Sequence, residues 1–217
     1  PSSPSLPPPG GSPNISKRYS IRGDAEMMGG WSRNFDLSGI SFNEKMTLTL
    51  VTRRHVVMAY HYRRKPGAKA VFHNRAGEKV ERTLVSVTRV VGDVAVGLLD
   101  SDVPLDLKVY SLPRPRENFS HLKGVTAAVT DQNRRIFFHE IDRVSPTSIA
   151  FRHPKLGKHG WGKNLVKGDS GNPSFLISGE ELVLIETHTS GGGGSGPFYG
   201  SPLIQKKLSA AISNLAP

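Results

Sequence analysis

"NLVKGDSGNPSF", residues 164–175, decides how the rest of the chain is read. Ser170 stands between Asp169 and Gly171, with Gly168 just upstream and Pro173 three positions on. Such a run is either a plain surface turn or a strained loop that presents a nucleophile. In the second reading the N–H groups of Gly168 and Ser170 converge on one point as an oxyanion hole, and Gly168 lets the backbone approach a substrate without a Cβ. Ser170 then needs an imidazole to take its proton and a carboxylate to orient that imidazole.

The surroundings are rich in β-type patterning. Apolar and β-branched residues alternate or cluster in residues 46–52, 55–62, 68–74, 78–91 and 93–100. A stretch with three prolines, residues 101–119, reads as an extended crossover. A second set follows at residues 124–130, 134–144, 147–153, 172–178 and 181–188. The last segment, residues 201–216, has apolar residues at Leu203, Ile204, Leu208, Ala211, Ile212 and Leu215, the spacing of an amphipathic helix entered through Ser201 and Pro202. Residues 1–15 are rich in Pro, Ser and Gly and read as a flexible tail. Since the chain does not begin with Met, its start reads as processed or truncated. The four glycines at 191–194 read as a loop that another backbone must approach closely.

Bulk properties narrow the classes. At 217 residues the chain can bury a core without staples, and 23 Gly with 16 Pro suit many short strands better than long helices. With no cysteine there is no disulfide framework, thiolate nucleophile or zinc–thiolate site. No run approaches the roughly 18 apolar residues of a membrane span. The net charge of +11 favours an anionic surface partner, although the basic cluster Arg63–Lys69 has no interleaved aromatics of the kind that stack on nucleic-acid bases. No phosphate-cradling loop is present, no metal-ligand spacing links His73, His121, His139, His153 and His159, and no cofactor is expected. The compartment stays open.

Two histidines compete for the role of base, His55 and His61 in "LVTRRHVVMAYHY", residues 50–62. At this point the chain resembles the chymotrypsin-like (trypsin-type) serine proteases. In that family the active histidine ends a "TAAH"-type motif, and "MAYH" stands in its place here, which implies His61 as base and His55 as a non-catalytic neighbour. "GDVAVGLLDSDVPLDLKVYSLP", residues 92–113, resembles the family's "DIALL" strand and implies Asp93 as the acid, ahead of Asp100 and Asp102. The order His61, Asp93, Ser170 is the family's order. The resemblance runs from about residue 20 to the end as scattered motifs. It implies an all-β fold of two six-stranded antiparallel β-barrels, chymotrypsin-like, with a C-terminal helix: residues 16–110 for the first barrel, and residues 111–217 for the second barrel and helix.

Two departures stand out. Asn172 replaces the usual glycine of "GDSGGP", and Met58 and Tyr60 are bulky where small residues are common. In zymogen-activated members the acid before the serine, here Asp169, pairs with a freed N-terminus, but "KRYSIRGD" at 17–24 is a poor match to a cleavage site. The pocket-base position falls on Asn164, which disfavours Arg or Lys before the scissile bond. His188 occupies a place where, in viral chymotrypsin-like and glutamate-specific bacterial proteases, a histidine reads an acidic or amide side chain. The resemblance implies Glu or Gln there. The plainer reading is a strand histidine without a ligand, and another register puts Thr187 and Thr189 in the pocket wall. Two functions follow. One is a serine endopeptidase acting on protein or peptide through an acyl-enzyme. The other is a catalytically silent module on the same fold that holds an anionic partner.

Overall fold

Alternating segments form strands where β-branched and aromatic side chains pack on a pleated surface. The computed structural model describes residues 11–114, 118–152 and 161–216. A short ribbon, β1 (Ser16–Arg18) and β2 (Glu26–Met27), precedes the first sheet. That sheet comprises β3 (Ile40–Ser41), β4 (Leu48–Leu50), β5 (His55–Ala59), β6 (Lys69–His73), β7 (Lys79–Val91) and β8 (Val94–Leu99). Its order is β3-β4-β5-β8-β7-β6, antiparallel throughout. The ends curl together, and the Val71 N–H donates to Ser41 Oγ at 2.9 Å. Leu48, Leu50, Val56, Met58, Phe72 and Leu84 fill the interior.

The second sheet comprises β9 (Thr126–Thr130), β10 (Ile136–Val144), β11 (Ser148–Phe151), β12 (Pro173–Ser178), β13 (Glu181–Thr187) and β14 (Ser195–Pro197). Its order is β13-β12-β9-β10-β11-β14, again antiparallel. It also curls back on itself, with the Tyr199 N–H donating to the Ile185 carbonyl at 2.9 Å. A separate apolar cluster forms the seam between the sheets, with Val57, Val94 and Val96 from one side and Ala128, Phe138 and Phe175 from the other.

The terminal helix α1 (Pro202–Asn214) is capped by Ser201, whose Oγ accepts the Ile204 N–H at 3.3 Å. It lies on β7 and β8, so the end of the chain braces the first sheet. Ile204 and Leu208 are buried in the seam, whereas Leu203, assigned to the apolar face from its spacing, is 47% exposed.

Several boundaries differ from the sequence reading. The run at 55–62 leaves the sheet at Ala59, and Tyr60–Tyr62 form a single 3-10 turn. The proposed tail falls partly on residues 1–10, outside the described residues. Its remainder is already engaged: the Ile136 N–H donates to the Pro13 carbonyl at 2.9 Å and the Ile15 N–H to the Arg134 carbonyl at 3.0 Å. Residues 13–28 thus form a strap that touches the second sheet at Arg134–Ile136 and the first at Gly77, whose carbonyl accepts the Ala25 N–H at 2.8 Å. The crossover passes from one sheet to the other at Tyr110 and Ser111. The Tyr110 N–H donates to the Leu50 carbonyl, and the Ser111 carbonyl accepts from the Leu184 N–H.

Candidate active site

The loop before β12 is held in a conformation that only its glycines adopt easily. Gly168 has φ +99° and Gly171 has φ +85°. Gly171 also lies against the end of β5, where a Cβ would stand 3.3 Å from the Ala59 nitrogen. A Cβ on Gly168 would meet the Gln132 side chain at 2.3 Å, which that side chain can relieve by moving, so it is the φ that calls for glycine here. Asn172, the departure from the family pattern, is fully buried. Its Oδ1 accepts the Thr47 hydroxyl at 3.1 Å and ties the serine loop to the first sheet. Among the described residues neither the Gly168 nor the Ser170 N–H has a protein acceptor, while those of Asp169, Gly171 and Asn172 are all taken.

The 3-10 turn after β5 swings His61 out of the sheet towards this loop. Two backbone N–H groups pin the turn to Asp93: that of Tyr60 donates to the Asp93 carbonyl at 3.1 Å and that of His61 to the side-chain Oδ1 at 2.8 Å. Asp93 is in place because β7 reverses into β8 through Gly92, at φ +55°. His61 Nδ1 then lies 2.7 Å from Asp93 Oδ2, and His61 Nε2 lies 2.9 Å from Ser170 Oγ. With Nδ1–H donating to the carboxylate, Nε2 is the free acceptor for the serine proton.

The rival candidates are occupied elsewhere. His55 is buried with Nδ1 2.8 Å from Thr52 Oγ1, and burial holds its imidazole below the usual range. Asp100 Oδ1 accepts the Thr83 N–H at 3.0 Å, and Asp102 faces Arg54 at 4.0 Å.

Beside Ser170 lies a cleft of about 230 Å³, walled by Leu165–Lys167 on one side and His188–Gly191 on the other. The glycine run closes the second wall. A Cβ on Gly191 would stand 2.6 Å from the Leu165 carbonyl, and one on Gly193 would stand 2.5 Å from that of Phe151.

The pocket residues inferred from sequence are placed differently. His188 is 1% exposed, with Nδ1 2.7 Å from Glu186 Oε1 and Nε2 3.0 Å from the Thr130 carbonyl. Both ring nitrogens are thereby engaged, and none is left for a substrate. Burial pushes its pKa down, but Glu186 and the Thr130 carbonyl outweigh burial and hold it above the usual range. A Glu or Gln preference therefore does not rest on His188. Thr187 is also buried, bonded to the Tyr199 hydroxyl at 3.0 Å. Thr189 lines the cleft, yet its hydroxyl donates to Asp93 Oδ2 at 2.7 Å and becomes a second brace on the acid. Asn164 is exposed and outside the cleft lining.

Sequence reasoning missed the charge cluster below the loop. Asp169 is buried. Its Oδ1 accepts the Gln132 N–H at 3.1 Å, and its Oδ2 accepts the Val166 N–H at 2.9 Å. Lys163 Nζ bridges Asp169 Oδ2 at 3.0 Å and the fully buried Asp131 at 2.6 Å, and Arg135 reaches Asp131 at 2.7 Å. Burial raises the Asp169 pKa, but the two N–H donors and Lys163 outweigh it and hold the carboxyl below its usual range. Asp169 thus finds its cation inside the fold. No pattern in "GKNLVKGDSG" marks Lys163 rather than Lys167 for this place.

Among the described residues no group of three or more His, Asp or Glu side chains is placed to hold a metal, and His153 and His159 lie outside them. A search against protein-family models finds no match for the chain, and a search of curated proteins finds none either.

Proposed function

We propose that the chain is a chymotrypsin-like serine endopeptidase that hydrolyses peptide bonds through an acyl-enzyme. The carrying observation is the unbroken line Ser170 Oγ–His61 Nε2 at 2.9 Å and His61 Nδ1–Asp93 Oδ2 at 2.7 Å, built from three distant parts of the chain. The two unengaged N–H groups at Gly168 and Ser170 support the same reading.

In this mechanism Ser170 Oγ attacks the carbonyl carbon while His61 Nε2 takes its proton. Asp93 stabilises the imidazolium and is kept in register by Thr189 and the His61 N–H. The oxyanion of the tetrahedral intermediate accepts from Gly168 and Ser170 N–H. His61 then passes its proton to the departing amine, leaving an ester on Ser170, and the same steps with water release the acid.

The test is digestion of an unstructured peptide mixture. Ser170→Ala should lower turnover by more than roughly a thousandfold, and wild-type kcat/KM should rise with pH across the range in which an imidazole deprotonates. Equal turnover by Ser170→Ala and wild type, or a flat pH profile, contradicts the proposal.

A further inference from the structure

A second groove, of about 360 Å³, adjoins the Ser170 cleft, and Thr189 lines both. Its apolar lining includes Val91, Ile149, Pro197 and Ile204. Asp93 is the one acid along it among the described residues, and both its oxygens are committed to His61 and Thr189. Its lone pairs are thus engaged on the side of His61 and Thr189, and its single negative charge is the one that an anionic ligand would meet there.

Positive charge lies in the groove and beside it. Arg143 lines the groove, exposed and with no acidic partner among the described residues. Arg89 lies outside this lining but next to Gly92, which belongs to it: its Nε donates to the Gly92 carbonyl at 2.9 Å and its guanidinium is 4.5 Å from the centre of the Tyr60 ring. Arg63 lies over the same ring at 4.2 Å and donates to the Tyr60 carbonyl at 2.8 Å. Neither Arg89 nor Arg63 has an acidic partner among the described residues. Stacking and a backbone bond fix each guanidinium before any ligand arrives, which lowers the ordering cost of binding. Two cations drawn to one ring repel each other, and an anion between them and Arg143 would relieve that repulsion.

We propose that this groove is a subsite for an acidic side chain of the substrate, read by Arg89 and Arg143 with Arg63 in support. The inference rests on the peptidase reading and extends it to a substrate class. A peptide in the Ser170 cleft that continues past Thr189 enters the groove directly, and its own apolar side chains suit the apolar lining. Nucleic acid is the weaker fit, because among the described residues no aromatic ring lines the groove to stack on a base.

The experiment uses matched peptides that carry Glu, or Gln, at each position within four residues of the scissile bond in turn. At one position wild type should prefer Glu over Gln by roughly tenfold in kcat/KM at low ionic strength. The double variant Arg89→Gln with Arg143→Gln should bring the ratio towards one, and Arg143→Glu should favour Lys at that position. Lys207→Gln, on the terminal helix, removes one charge and should leave the ratio intact. A ratio near one at every position, or one unmoved in the double variant, overturns the proposal while cleavage of the Gln series keeps the peptidase reading standing. Absence of cleavage in both series removes both. If a single-stranded oligodeoxythymidylate binds and the double variant releases it, with no Glu preference, the groove serves nucleic acid and the proposal falls.

Discussion

Thr189 and Lys163 show how single side chains set the geometry of the site without entering its chemistry. The Thr189 hydroxyl is a neutral donor to a carboxylate that also accepts from His61. Thr189→Val keeps the shape and removes the donor, so Asp93 is less firmly oriented. We expect kcat to fall by about tenfold with KM little changed, read from steady-state kinetics; unchanged kcat would show that the His61 bonds hold Asp93 alone. Lys163 lies between two buried carboxylates. Lys163→Met leaves them facing each other, an arrangement that costs about 3 kcal/mol or more. Denaturant unfolding should show that loss, with Lys163→Arg recovering part of it. Wild-type stability in Lys163→Met would mean that the backbone N–H donors neutralise Asp169 unaided.

At the scale of elements, the long strands and the terminal helix were legible because their periodicity is sustained over a buried face. β3 and β14 were not, since two or three residues carry no period and β14 follows a glycine run. The serine loop could be read from its own glycines, whereas His61 and Asp93 were singled out from their rivals only by the resemblance of their motifs to those of chymotrypsin-like proteases. Thr189 and His188 show the limit of such reading. They are neighbours at the end of β13, yet one faces Asp93 and the other is sealed against Glu186, a choice made by the fold of the sheet rather than by spacing. The glycine loop carries its own prediction. Gly191→Ala puts a methyl 2.6 Å from a backbone carbonyl, so the cleft wall must shift. Peptide KM should rise several-fold while the protein stays folded, as checked by circular dichroism. An unaltered KM would show that this wall does not touch the substrate.

Across the whole molecule, two buried charges set opposite pH limits. The Asp169 pKa is depressed, so its contribution to stability is present above the unfolded value, about 3.9, and is lost as pH falls through the folded value. The His188 pKa is raised, so its contribution is full below the unfolded value, about 6.5, and is lost as pH rises through the folded value. Unfolding midpoints should therefore fall on both sides of a plateau between these limits, and His188→Gln should flatten the alkaline side. An alkaline limb that is the same in that variant would assign the loss to other groups.

The two curled sheets, the strap and the helix together hold Ser170 against His61, and the proposed activity requires that pair to be in a state ready to react. Mass mapping after exposure to a fluorophosphonate probes that state directly. The expected result is a single adduct on the peptide containing Ser170, formed by wild type and lost in His61→Ala. No adduct on Ser170 of the folded wild-type chain, or one formed equally fast without His61, would contradict the account.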